Sequence, residues 1–263
     1  MLLKNKVVLV SGIGPGLGVT LAVEAAREGA SAVILSARTA SRLDDAEAQI
    51  AALGCGTSVL KCPTDITDRA QCERLAAAAA ERFGRIDTLL NSAYLHGGPD
   101  FVSSAELDGW QNVFGTNLIG TLKLTQCVLP IMKAQGGGAV VMINTLVARE
   151  VPSIGGAGYA ASKAALANAT QYLAKEVGPD QIRVNGVHFG WIWGAPTRGY
   201  FEQQANRRGV PLEVITRKIA DGIPLRRIPT DQECARAALF LGSDYASAVT
   251  GAALDVNGGA YMS

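Results

Sequence analysis

Charge of one sign is missing from this chain. Its 263 residues carry 24 Lys and Arg against 23 Asp and Glu, a net charge of +1. There is no basic field to draw in nucleic acid and no block of like charge that reads as a tail. Long apolar runs are missing too. None approaches the roughly 20 residues of a membrane span, so no membrane association is expected. The stretch MLLKNKVVLVSG does not read as a signal peptide, because Lys4 and Lys6 interrupt it and no cleavage site follows. Cysteine is scarce and lacks pattern. Cys55, Cys62, Cys72, Cys127 and Cys234 are scattered with no CxxC, and five is an odd number. Reduced core thiols in a cytoplasmic protein are the plain reading. Histidine is limited to His96 and His188, far from any metal-ligand spacing, so both read as structural and no metal is expected.

What is present is apolar and periodic. Apolar residues make up 48% of the chain, enough to bury a sizeable core in one large domain, residues 1–263. Near-continuous apolar runs predict strands at 7–12, 31–37, 57–62, 86–93, 139–145, 182–190 and 252–258. Amphipathic stretches between them predict helices. One follows a Gly-rich turn and runs through Arg27. The next runs from Ser41 as N-cap to Gly54 as C-cap. Others span Asp68 to Phe83, about 110 to 134, and Tyr159 to Val177, and a last one ends near Phe240. This alternation predicts an α/β fold of the doubly wound Rossmann type, with a seven-stranded parallel sheet covered by helices on both faces. The region 191–230 reads as one long irregular stretch. It holds Trp191, Trp193, Tyr200 and Phe201, and long loops of this kind are often lids or binding loops.

The turn after the first strand reads SGIGPGLG, placing Gly12, Gly14, Gly16, Leu17 and Gly18 between a strand and a helix start. A backbone that approaches a pyrophosphate closely at a helix N-terminus needs such a turn. A tight strand-to-helix turn has the same composition. The second strand ends LSARTASR. Ala37 stands where an acid would bind the ribose of NAD, and Arg38 follows with Arg42 nearby. A guanidinium there can pair with a 2′-phosphate, which favours NADP(H) over the alternative NAD(H). Asp65, with Ile66 beside it, follows the third strand; it can meet an adenine or cap the next helix.

These motifs, taken in order, resemble the short-chain dehydrogenase/reductase family over essentially the whole chain. The family's TGxxxGxG has Ser11 in place of threonine. Its NNAG appears as Asn91-Ser92-Ala93-Tyr94. Its active-site asparagine matches Asn117 of FGTNLIGTL, its YxxxK pair matches Tyr159 and Lys163, and LDVNGGAYM resembles its C-terminus. The resemblance implies that Lys163 holds the nicotinamide ribose and that Asn117 supports a water linking Lys163 to solvent. It also implies a homo-oligomer, tetramer or dimer.

On a helix, residues four apart share a face, so Tyr159 and Lys163 point into one space above the strand ends. A free tyrosine, with a pKa of about 10, is a poor base at neutral pH, and an adjacent ammonium lowers that value by roughly 1–3 pH units. Tyr159 can then exchange a proton with an alcohol or carbonyl while hydride moves to or from the cofactor. The chain departs from the family at two places. The family's serine before the tyrosine is replaced by Thr145, fourteen residues ahead of Tyr159, with Ser153 as the fallback hydroxyl. After the sixth strand, Phe189-Gly190-Trp191-Ile192-Trp193-Gly194 replaces the usual Pro-Gly motif. Ile192 can still pack on a nicotinamide, while Gly194 lacks the threonine hydroxyl that Thr197 can supply.

Together these residues predict an NADP(H)-dependent oxidoreductase that interconverts a secondary alcohol and a ketone. Tyr94, Trp191, Trp193 and Tyr200 would line a cleft for a bulky apolar or cyclic substrate, unless they serve lid packing or a subunit contact. A 3-oxoacyl-thioester reductase would need a basic entrance, for which Arg149, Arg198, Arg207 and Arg208 are candidates. A non-catalytic NADPH-binding sensor or scaffold would not need Tyr159, Lys163 and Asn117. A nucleotide-sugar epimerase would need a larger C-terminal domain than 263 residues allow.

Overall fold

The computed structural model describes residues 1–151 and 155–263, so Ser153 lies outside the described residues. Among the described residues seven strands pair: β1 (Val7–Ser11), β2 (Ala32–Ala37), β3 (Ser58–Pro63), β4 (Thr88–Asn91), β5 (Gly138–Thr145), β6 (Ile182–Phe189) and β7 (Ala253–Val256). All neighbours are parallel, in the order β3-β2-β1-β4-β5-β6-β7. β1 and β4 are buried along their whole length, and this explains why their sequences VVLVS and TLLN barely alternate. The direction of winding reverses between β1 and β4, and the crevice beyond the strand ends at such a point is where open α/β sheets take ligands.

Helices cover both faces: α1 (Leu17–Arg27), α2 (Ala40–Ala51), α3 (Arg69–Phe83), α4 (Asp108–Phe114), α5 (Thr121–Ala134), α6 (Ala157–Val177), α7 (Ala195–Arg208), α8 (Leu212–Asp221) and α9 (Asp231–Gly242). One core layer packs Leu21, Leu43 and Leu239 of α1, α2 and α9 against Val8 and Val10. The opposite layer packs Leu75, Leu124 and Leu166 of α3, α5 and α6 against Leu9 and Leu89. A period-two strand sends alternate side chains to the two layers.

Local chemistry sets the helix ends, in places differently from the expectation. Asp68 caps α3 by accepting from the Ala70 and Gln71 amides, and Gly84 ends it in the left-handed conformation. Ser41 does not cap α2. The helix starts two residues earlier, with Thr39 at the N-cap and no side-chain cap bond. Gly54 lies two residues beyond the C-cap, Ala52. The long helical stretch is continuous from Asp108 to Ala134, but widens into a π-helical segment at Gly115–Gly120. Such segments recur at functional sites, and Asn117 sits within this one.

The region 191–230 is not one irregular loop. It contains α7 and α8, which bury Phe201, Ala205 and Ile215 in a small core of their own. Proline, glycine and several charges hide that helical pattern in the sequence. The cysteines also divide: Cys72 and Cys234 are buried, Cys62 and Cys127 are partly exposed, and Cys55 is on the surface. No helix among the described residues is long and apolar enough to cross a membrane.

Candidate active site

A cleft of about 750 Å³ opens over the carboxyl ends of β1, β2, β4, β5 and β6. Its floor is the glycine turn. Gly12 has φ +95°, and a β-carbon there would lie 2.3 Å from the Ala93 amide nitrogen. One on Gly18 would lie 2.0 Å from the Gly12 carbonyl oxygen. Only glycine lets the turn fold this tightly beneath the cleft. The amides of Gly12 and Ile13 donate to the Ser36 carbonyl at 2.8 and 3.0 Å, tying the turn to β2. At the start of α1 the N-cap is Gly16, which has no side chain to occupy the first amides, so they remain available to an anion.

The residues fit a dinucleotide phosphate. The hydroxyls of Ser11 and Ser36 border the cleft, fully buried, with no partner among the described residues. Buried hydroxyls are usually paired, so two such groups mark a polar ligand's seat. Arg38 and Arg42 line the same end, with an Arg42 guanidinium nitrogen above Gly14. Asp65, Ile66, Ser92 and Ala93 form the adjoining wall. Asp65 does not cap α3; its carboxylate accepts from the Thr67 amide and hydroxyl at 2.9 and 2.7 Å.

At the other end of the cleft, β5 delivers Thr145 and α6 delivers Tyr159 and Lys163. Thr145 and Tyr159 border the cleft together, and the Thr145 Oγ1 accepts from the Val147 amide at 3.4 Å. Burial holds the Tyr159 phenol well above its ordinary pKa and nearby Tyr94 adds to the effect, while the Thr145 hydroxyl opposes both. Lys163 is buried, and burial lowers its ammonium to about 8. Its Nζ donates to the Ile143 carbonyl at 2.7 Å. The expected lowering of the Tyr159 pKa by Lys163 is therefore not seen in this arrangement.

Residues 12–261 match a family model described as enoyl-(acyl carrier protein) reductase. The chain is 32% identical to 7α-hydroxysteroid dehydrogenase of Escherichia coli, covering 98% of this chain and 94% of that one. It is also 32% identical to a 3-oxoacyl-[acyl-carrier-protein] reductase of Thermotoga maritima, covering 98% and 99%. The crystal structure of L-sorbose reductase from Gluconobacter frateurii with NADPH and L-sorbose superposes with a TM-score of 0.92 at 27% identity, covering 99% and 98%. The chain belongs to the short-chain dehydrogenase/reductase family. It is an NAD(P)-dependent oxidoreductase of the alcohol dehydrogenase and ketoreductase kind.

Within this short-chain dehydrogenase/reductase site, some expected residues stand behind the cleft rather than in it. Asn117 is fully buried. Its Nδ2 donates to the Leu95 carbonyl and the Ser162 hydroxyl, both at 2.9 Å, and its Oδ1 accepts from the Leu95 amide at 2.7 Å. The side chain thus clamps the loop after β4. Asn91 is turned toward α5, donating to the Thr125 hydroxyl at 3.0 Å. Trp191 lines the cleft with Gly190 and Ile192. Tyr200 stacks on Trp191 outside it, ring centroids 6.0 Å apart, and Trp193 packs on buried Phe201 at 6.2 Å. Packing of the α7–α8 unit therefore claims Trp193 and Phe201. Gly194 and Thr197 both border the cleft.

Three residues carry more than their sequence context suggested. His96 lies in the cleft, its ring stacked on Tyr159 with centroids 4.9 Å apart and planes 21° apart. The sequence reads it as structural, because a lone histidine in a glycine-rich loop has no motif around it. Asp231, at the start of α9, also borders the cleft and accepts from the Thr20 hydroxyl at 3.1 Å. Only its place in a capping box, Thr230 to Glu233, was readable. Arg149 is not a free surface cation. It pairs with Asp255 at 3.0 Å and lies over the Tyr261 ring at 5.8 Å.

Proposed function

We propose that this chain interconverts a ketone and a secondary alcohol with NADP(H) as hydride carrier, on a substrate with a bulky apolar or cyclic body. The single observation that carries the reading is the cleft itself. Thr145, Tyr159 and Lys163 meet at one end, and Arg38 and Arg42 stand at the other. Bound NADP(H) supplies the hydride. Arg38 and Arg42 would hold its 2′-phosphate, the glycine turn its pyrophosphate, Lys163 its nicotinamide ribose, and the backbone at Gly190 and Ile192 its carboxamide.

In the reductive direction the Thr145 hydroxyl donates to the substrate carbonyl oxygen and polarises it. Tyr159 gives that oxygen its phenolic proton as the carbon gains hydride, and the phenolate is reprotonated from solvent. Tyr159 is neutral at pH 7 and has a proton to give, while burial makes it a weaker acid than a free tyrosine. Trp191 offers an apolar wall for the substrate body, with Pro196 and Thr197 of α7 beside it. The exposed Ile119 and Tyr172, on the π segment and α6, support a homo-oligomer.

A 3-oxoacyl thioester is the second reading, favoured by the Thermotoga maritima relative. The engagement of Arg149 with Asp255 weakens it by removing one cation from the required basic entrance. The test is to titrate NADPH and NADH separately, then add bulky ketones and a 3-oxoacyl thioester, following the loss of reduced-cofactor absorbance. Turnover of ketones with NADPH that vanishes in Tyr159→Phe supports the proposal. Faster turnover of the thioester moves the assignment there. Tight NADPH binding with no turnover makes the chain a cofactor-binding sensor.

A further inference from the structure

The segment after β4 is held at two points. Asn117 pins Leu95 through the paired bonds to its amide and carbonyl, 2.7 and 2.9 Å. Five residues later the Asp100 carbonyl accepts from the amides of Gly156 and Ala157 at 2.9 and 3.1 Å, and the Asp100 carboxylate accepts from the Trp110 indole. His96 lies between these two anchors. Its ring lies against the N-terminal turn of α6, where a β-carbon on Gly156 would stand 3.5 Å from Cε1. The same ring stacks on Tyr159, and Tyr94 tilts against Tyr159 at 6.1 Å and 59°.

Tyr159 therefore has ring partners from the β4 loop, and Thr145 from β5 lines the same cleft. Its other candidate helper, Lys163, is bonded to Ile143. A phenol that must present its proton at one point needs its ring held, and a loss of orientation at a reacting group is costly. Offset aromatic stacking is directional enough to provide that hold.

We infer that His96 is a positioning residue for Tyr159, its imidazole face fixing the tyrosine ring so that the hydroxyl stays directed at Thr145 and the substrate oxygen. Asn117 acts through it, by locking the loop that carries the imidazole. The inference rests on Tyr159 being the proton donor. It differs from that reading in assigning a role to the histidine's flat face rather than to its protons. Other charged and titratable groups meet this unit from each side: Tyr94 and Asp100 on the same loop, and Tyr159 and Lys163 on α6. None of them needs to change state for the stack to act.

The experiment compares His96→Ala, His96→Phe and His96→Gln in the full-length protein. His96→Ala should lower kcat by about tenfold while leaving KM for NADPH within about twofold, as expected when ground-state cofactor binding is untouched. His96→Phe, which keeps a flat ring, should restore most of kcat. His96→Gln, which keeps hydrogen bonding without a ring, should not. Wild-type kcat in His96→Ala, or rescue by Gln and not Phe, overturns the proposal.

A second measurement needs no turnover. Thermal unfolding of His96→Ala, Tyr159→Ala and the double variant should give Tm losses that do not add, because the second substitution removes a contact already lost. Additive losses overturn the stack whatever the activity. Non-additive losses in a protein without ketone turnover keep the contact and reject the reductase reading instead.

Discussion

The ammonium of Lys163 is bonded to the main chain of Ile143, two residues before Thr145 on the same strand. The lysine thus spans from α6 to β5 and ties the helix of Tyr159 to the strand of Thr145. Lys163→Met should cut turnover by on the order of 10²-fold and also weaken NADPH binding. Steady-state kinetics with a parallel cofactor titration checks both. Loss of turnover with unchanged cofactor affinity would limit Lys163 to the proton path.

Arg38 should decide between the cofactors. A charge-assisted hydrogen bond contributes roughly 1.5–3 kcal/mol, so Arg38→Ala should weaken NADPH by on the order of tenfold to a hundredfold and leave NADH nearly unchanged. Ala37→Asp should raise NADH affinity by giving the ribose hydroxyls an acceptor. Fluorescence titration with each cofactor reads both effects. Equal losses for NADPH and NADH in Arg38→Ala would show the arginine to be an ordinary surface residue.

The glycine turn has no room for a methyl group. Gly18→Ala would press a β-carbon to 2.0 Å from the Gly12 oxygen, against backbone that cannot move aside cheaply. Cofactor binding should be lost, with stability reduced by roughly 1–3 kcal/mol or more, the cost of local strain. Urea unfolding and NADPH titration of the variant give the two values. Gly54→Ala is the control for crowding, since nothing stands within 4 Å of the added carbon and only its φ of +61° is strained.

His188 should set part of the acid limit of stability. Burial, with help from Arg149, lowers this imidazole to about 4 from an ordinary 6.5, while Asp255 pulls the other way. The unfolded chain binds the proton first as pH falls, so stability is lost between about pH 6.5 and 4, by about 3 kcal/mol over the full span. His188→Leu should flatten that limb. Urea unfolding at pH 7 and at pH 4.5 shows whether the gap between wild type and variant narrows at the lower pH, as expected.

Where local pattern and tertiary role coincide, the sequence is readable. β1 and β4 are apolar throughout because helices cover both faces, and that pattern carries the parallel sheet. Asp68 and Gly84 mark the ends of α3 because capping is a local interaction. Tyr159 and Lys163 are found together because four residues make about one helical turn. The arrangement at long range is less readable. The bond from Lys163 to Ile143 depends on the packing of α6 against β5. Arg149 looks free until β7 brings Asp255 to it. His96 has no periodic context, and the loop that carries it to Tyr159 is clamped at Leu95 by Asn117, twenty-two residues beyond Leu95. The helices of 195–221 are obscured by proline, glycine and charge, and owe their stability to the small core around Phe201.

The glycine turn and the two arginines come from the first forty-two residues, before β4 is even laid down. The wall around Tyr159 is supplied by later connections, Tyr94 to His96 after β4 and Trp191 after β6 among them. Replacement of Tyr94 and Trp191, with Leu95, His96 and Asp100 retained, would therefore retool the chain for a different molecule without disturbing the glycine turn. The scaffold is a fixed socket with exchangeable jaws, and new chemistry of recognition requires loop exchange rather than a new fold.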